Sequence, residues 1–220
     1  MRKPGILTIC FMCLLAGLVA CSSSEADSTK VDKQWNDPVL DSLAQIRHDI
    51  RNKDNKLVTL ETNYGKMTLE LFHDVAPAHA DSFVARAVDG FYDSTIFHRV
   101  VQNFMIQGGD PTGTGTGDAG YNLPAEFSDL QHVDGTLSMA RGRSENSASC
   151  QFFICLGRNR STEYLDGKYT VFGQLIKGYD VLHAIGDVKV GPQPHGEKSK
   201  PLAKVALFKA YVSDRDGNAL

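Results

Sequence analysis

At 220 residues, 42% of them apolar and 22% charged, the chain has the make-up of one ordinary folded domain and not of a disordered polymer. Its formal net charge of −3 lacks the basic excess of chains that wrap nucleic acid, so that class of partner is set aside.

Arg2 and Lys3 precede an apolar run from Ile6 to Ala20, shorter than the roughly 20 residues that a helix needs to cross a bilayer. A charged start followed by a short apolar stretch marks residues 1–20 as a secretory signal. Removing it leaves a net charge of −5, because Arg2 and Lys3 leave with it and no acid does. The run ends "LVAC" and continues "SSSEADSTK", which resembles the lipobox of bacterial lipoproteins and implies that Cys21 carries a lipid as the new N-terminus. Cys10 and Cys13 go with the signal, so Cys150 and Cys155 are the cysteines left in the domain. As a strand, "CQFFIC" would hold them on opposite faces with Cα atoms about 16 Å apart, beyond the roughly 7 Å that a disulfide tolerates.

Residues 21–35 are Ser-rich and polar and read as a flexible tether. Residues 36–56 follow with a cap at Asn36 or Asp37, a proline in the first turn, and Leu40, Leu43, Ile46 and Ile50 at helical spacing. This is an amphipathic N-terminal helix. From Leu57 the period changes to two: "LVTLET" and "KMTLELF" flank the turn "NYG" as a hairpin. Further strands are expected in "TIFHRVV", "FMIQ", "TLSMA", "QFFICL", "YTVFGQL" and "KVALFKAYVS". Helices are expected near 77–89, with Pro77 in the first turn and Gly90 past the end, and near 179–185, with Val181, Leu182 and Ile185 inward. About eight strands favour a closed antiparallel barrel over residues 57–213, because closure removes exposed edges. Residues 214–220 remain as a C-terminal tail.

Alternation along a strand places Phe97, Arg99 and Val101 on one face and His98 and Val100 on the other, and likewise pairs Met105 with Gln107 and Gln151 with Phe153. If these faces meet, Phe104, Met105 and Phe153 form a concave apolar floor edged by Arg99, Gln107 and Gln151. Such a surface suits a proline ring beside peptide carbonyls and has nothing fit to attack a carbonyl. His98 reads as a hydrogen-bonded structural histidine. The other histidines show no ligand spacing, so no metal is expected. "GTGTG" lacks the Gly-Lys-Ser/Thr ending of a phosphate loop and reads as a loop needing unusual backbone angles. Ser138, Ser147 and Ser149 lack a nucleophile elbow, and Cys150 lacks an identifiable base.

"FHRVVQNFMIQGGDPTGTGTG", "GTLSMA", "SCQFFICL" and "EYLDGKYTVFGQL", in this order, resemble the cyclophilin family of peptidyl-prolyl cis/trans isomerases over about residues 57–213. The resemblance implies a mainly-β fold, a closed eight-stranded antiparallel barrel capped by two helices, and no metal or organic cofactor. It implies that Arg99 is the essential arginine, with Gln107 beside it as the second catalytic position. Phe104, Met105 and Phe153 would accept the proline ring, with Leu165 at the wall. Gln151, Ala140, Arg141, Tyr164 and Tyr169 match further substrate-contacting positions. Tyr164 stands where many members have tryptophan, Tyr169 where histidine is frequent, and Arg141 where asparagine is usual. Without the indole donor, cyclosporin-type ligands are expected to bind weakly. The loop from Gly142 to Ser149 is one residue longer than the commonest spacing, and the N-terminal helix lies outside the resemblance. The expectation is an isomerase acting on X-Pro bonds of exported polypeptides. It would be held in the bacterial cell envelope, at the inner or outer membrane, through Cys21, with its domain in the periplasm. A tethered module that binds proline-containing segments with little turnover is the alternative.

Overall fold

The computed structural model describes residues 55–194 and 196–220. The expected signal, the Cys21 tether and the N-terminal helix through residue 54 lie outside the described residues. The expected hairpin is present as β1 (Leu57–Thr62) and β2 (Gly65–Leu71), with Thr62 opposite Gly65 across a two-residue turn. Val58 and Leu60 from β1, and Met67, Leu69 and Leu71 from β2, enter the central core. On the other face Thr59 shares hydrogen bonds with Thr68 and Ser213.

Helix α1 (Pro77–Val88) begins at its proline, whose missing N–H costs nothing in the first turn, and buries Ala80, Phe83 and Ala87. Phe83 sits at the centre of an aromatic cluster, with ring centroids 5.1 Å from Tyr92, 5.2 Å from Phe152 and 5.4 Å from Phe172. A one-turn helix, α2 (Arg160–Glu163), is capped by the Asn159 side chain. Helix α3 (Tyr179–Gly186) buries Val181, Leu182 and Ile185 as its spacing predicts.

The remaining strands are β3 (Thr95–Ile96), β4 (Arg99–Val101), β5 (Met105–Gly108), β6 (Thr136–Met139), β7 (Phe152–Cys155), β8 (Val171–Lys177), β9 (Val190–Pro192), β10 (Lys198–Pro201) and β11 (Ala206–Ser213). Nine of the eleven strands among the described residues form one curled antiparallel sheet in the order β3-β11-β1-β2-β8-β6-β7-β5-β4, and β9 pairs with β10 separately.

This corrects the expected closed eight-stranded barrel. The stretch "TIFHRVV" is not one strand. Ile96 pairs with Ala206 of β11, whereas Arg99 pairs with Gln107 of β5. Phe97 and His98 belong to neither ladder, and no ladder joins β3 to β4 among the described residues. The sheet therefore curls until its two ends are neighbours in the chain, and a two-residue seam stands where a closed barrel would have hydrogen bonds. The seam also resets side-chain parity. Phe97 enters the central core against Phe152, with centroids 6.0 Å apart, instead of sharing the face of Arg99 and Val101. The hairpin of β9 and β10, absent from the sequence-based expectation, packs beside β4.

Candidate active site

A second, smaller apolar cluster lies outside the central core. Met105, Phe153, Cys155 and Leu165 form it, flanked by Val101, Phe104, Ala140 and Tyr169. Its separation from the core follows from strand parity: Ile106 and Ile154 point into the main core while Met105 and Phe153 point away from it. Phe104 lies in the turn between β4 and β5, just after Asn103 with its positive φ of 58°. The Leu156 N–H fixes its carbonyl at 2.9 Å. Leu165 follows α2, and the Tyr169 ring meets Phe153 edge-on at 6.0 Å.

Phe104, Met105, Ala140, Phe153, Leu165 and Tyr169, with Arg99, Gln107 and Arg141, line a cavity of about 210 Å³. A neighbouring cavity of about 270 Å³ shares Gln107, Ala140 and Arg141 as a common wall and adds Gln151, Ser147, Ser149 and the loop 115–118. Of the residues singled out in the sequence, nine meet at the first cavity and Gln151 lines the second. Tyr164 lines neither. Its ring is 66% exposed and lies under the Lys168 ammonium, 3.8 Å from the centroid. Arg141 is folded back, its guanidinium 4.6 Å from the Tyr169 ring centroid and its Nε and Nη2 donating to the Lys168 carbonyl.

One hydrogen-bond chain runs along the rim. Arg99 Nη1 donates to Gln107 Oε1 at 3.1 Å, Gln107 Nε2 to Gln151 Oε1 at 3.0 Å, and Gln151 Nε2 to the Gly117 carbonyl at 2.8 Å. The far end is anchored by Asp110, whose fully buried carboxylate accepts from the Thr112 hydroxyl and from the backbone N–H groups of Thr112, Gly115 and Gly117. Burial alone would raise its pKa, but those hydrogen bonds outweigh burial and hold the carboxyl below its usual range. The loop does use unusual backbone angles, with φ of 68° at Gly113 and 90° at Gly115. Gly117 is required for another reason: a Cβ there would lie 2.0 Å from Asp110 Oδ1.

The arginine is not the lone charge that the local sequence suggests. Glu197, between β9 and β10, takes Arg99 Nε and Nη2 in a two-pronged pair with both contacts at 2.7 Å. The carboxylate in turn accepts from the buried Ser199 hydroxyl at 2.6 Å. Sequence reasoning missed Glu197 because nothing local links it to a residue 98 positions away. It also missed His132, stacked behind Phe153 and held by Asp166 and Ser138. His98 departs from its expectation. It is buried, and neither ring nitrogen has a hydrogen-bond partner among the described residues. Burial pushes its pKa down. Cys150 and Cys155 are both buried and do not bridge each other.

An apolar pocket with two arginines and Gln107 at its rim, and no nucleophile beside a base among the described residues, is suited to holding a peptide without cleaving it. The comparisons agree. Residues 57–212 match the model of the family described as cyclophilin type peptidyl-prolyl cis-trans isomerase/CLD. The chain is 43% identical over 162 residues to peptidyl-prolyl cis-trans isomerase-like 1 of Neurospora crassa, covering 70% of this chain and 93% of that protein. It is 41% identical over 160 residues to a peptidyl-prolyl cis-trans isomerase of Arabidopsis thaliana, covering 70% and 94%. Among solved structures, the cyclophilin type isomerase of Cryptosporidium parvum, crystallised in the presence of the dipeptide Ala-Pro, superposes with a TM-score of 0.66 at 33% identity. That match covers 72% of this chain and 99% of the other. A mainly-β sheet curled around one aromatic core, a small apolar cavity outside it and this degree of likeness lead to one conclusion: the chain belongs to the cyclophilin-type peptidyl-prolyl cis/trans isomerases.

Proposed function

We propose that the isomerase acts through Arg99 on X-Pro bonds of exported polypeptides, from a position anchored to a membrane of the bacterial envelope by lipid on Cys21. Rotation about the imide bond crosses a barrier of about 18–20 kcal/mol because it destroys amide resonance, and unaided exchange takes tens to hundreds of seconds. No covalent bond breaks. The site has to favour the twisted state, in which the prolyl nitrogen regains its lone pair, over both planar states.

Phe104, Met105 and Phe153 receive the proline ring, with Leu165, Ala140 and Tyr169 around it. Residues flanking the proline follow the wall of Gln107 and Arg141 toward the second cavity. A guanidinium has five N–H donors, and oxygen acceptors from Glu197 and Gln107 engage three of them. Of the other two, the one on Nη1 has only the weak sulfur acceptor of Met105 at 4.0 Å, and both can turn to the twisted imide. The apolar floor keeps water from competing, which strengthens a fixed donor. A charged hydrogen bond contributes about 1.5–3 kcal/mol, or roughly tenfold to somewhat over a hundredfold in rate. Holding one end of the peptide while the other turns supplies more.

The observation that carries this reading is Arg99 at the rim of the cavity, its Nη1 4.0 Å from Met105 Sδ and 3.1 Å from Gln107 Oε1. The test is NMR exchange spectroscopy on an Ala-Pro peptide with the wild-type chain and Arg99→Ala. A loss of at least about tenfold in a folded variant is expected, and near-normal exchange would reject the role of Arg99. Export and anchoring rest on the signal, the "LVAC" stretch and Cys21.

A further inference from the structure

We propose that Glu197 is a positioning residue for the isomerisation, holding the plane of the Arg99 guanidinium so that its remaining N–H groups face the cavity. This rests on the assignment of Arg99 given above.

Arg99 is on β4, the last strand of the curled sheet, with one hydrogen-bonded neighbour strand among the described residues, β5. Its side chain is 28% exposed. A long side chain at a sheet end loses much rotamer freedom if it is to act in one pose, and an arginine supported only by Gln107 could still turn about its terminal bonds. Glu197 removes that freedom. Two parallel N–H···O contacts at 2.7 Å fix both the direction and the plane of the group. The carboxylate is itself fixed by Ser199, whose backbone is part of β10 and whose side chain is fully buried. Gln193 adds a second tie between the hairpin and the seam, its Nε2 donating to the His98 carbonyl at 3.2 Å. The arginine is therefore held from the sheet side by Gln107 and from the hairpin side by Glu197.

The pair has an opposing electrostatic effect, because a carboxylate against the guanidinium lowers the positive potential felt by the substrate. Geometry decides the sign. Glu197 occupies the Nε and Nη2 edge and, with Gln107 on Nη1, leaves one N–H on each terminal nitrogen on the cavity side, and a donor already aimed needs no reorganisation when the imide twists. Removing the carboxylate frees the charge but loses its direction.

The experiment is a double-mutant cycle on the full chain with an Ala-Pro peptide, reading kcat and KM separately. Glu197→Ala is expected to lower kcat about tenfold, the effect of one lost charged hydrogen-bond pair. KM should stay within about twofold, because the apolar floor that binds the ring is untouched. Glu197→Gln keeps the shape and one acceptor, so it should fall between wild type and Glu197→Ala, and it carries the test if the alanine variant does not fold. In the Arg99→Ala background either substitution should have no further effect on kcat. A gain in turnover, an unchanged kcat, or the same loss with and without Arg99 would each overturn the proposal. Failure of Arg99→Ala itself to lower turnover would instead remove the reading beneath it.

Discussion

The imidazole of His132 lies almost parallel to the phenyl ring of Phe153, with 13° between the planes and 5.9 Å between centroids. The floor of the cavity is thus two rings deep. The rear ring is fully buried and held at both nitrogens, by Asp166 at 2.9 Å and Ser138 at 3.0 Å. Asp166 is fixed in turn by Arg158 Nη1 at 2.7 Å. His132→Ala would open a void behind Phe153 and leave buried polar groups short of a partner. We expect a stability loss of about 2–4 kcal/mol by denaturant titration. A KM for Ala-Pro peptides raised more than kcat is lowered should accompany it, since the floor and not the donor is disturbed.

Activity and stability should part company as pH changes. No side chain gains or loses a proton in the rotation, so turnover should be nearly flat between about pH 6 and 8. Stability should slope. Burial holds His98 and His79 below the ordinary histidine value of 6.5, for His79 in spite of its hydrogen bond to Glu126. The unfolded chain takes up those protons first, so stability falls as pH drops below 6.5 toward the lowered folded values. His183 has the opposite sign. Its hydrogen bond to Asp134 raises it, so that contribution is fully present below 6.5 and is lost as pH rises through the folded value. Melting temperatures across about pH 5–8 should show the acid-side fall. In His183→Gln the high-pH component should vanish and the acid-side fall remain.

Gly117→Ala tests whether the loop supports the rim. The added methyl would collide with Asp110 Oδ1 and approach Thr112 Cγ2 to 3.1 Å. It would dislodge the N–H groups that surround Asp110 and the carbonyls that hold Gln151 Nε2. A loss of about 1–3 kcal/mol in stability is expected from the disturbed buried carboxylate. A several-fold drop in kcat/KM should come with it. Wild-type kinetics in this variant would show that the chain from Asp110 to Arg99 has no part in aiming the arginine.

Anchoring is tested separately. Cys21→Ser should move the protein from the membrane fraction to the soluble fraction of the cell, with isomerase activity per molecule unchanged. Retention in the membrane fraction would assign the attachment to something other than lipid on Cys21.

The sequence made the apolar pocket legible because its residues alternate on short strands. Met105 with Gln107 and Gln151 with Phe153 need only local parity to be grouped, and Pro77 and Gly90 bracket α1 by their backbone preferences. What stayed hidden depended on the partner strands. "VGP" and "KSKP" carry no alternation of apolar side chains, so the β9 and β10 hairpin had no periodic signal, and Glu197 was hidden with it. The break at Phe97 and His98 was equally silent. "TIFHRVV" alternates well enough for one strand, and only its two different neighbours, β11 and β5, divide it.

That two-residue seam has a consequence for how the molecule comes into being. β3 can find its place only after β11 has been made, and the carboxylate that steadies Arg99 arrives with residue 197 of 220. Closing loops of such length is the slow, entropically unfavourable part of assembly. A chain still emerging from its synthesis can gather Phe83, Phe152 and Phe172 into a collapsed nucleus while the arginine has no bearing. The power to turn X-Pro bonds is therefore among the last properties that this chain acquires.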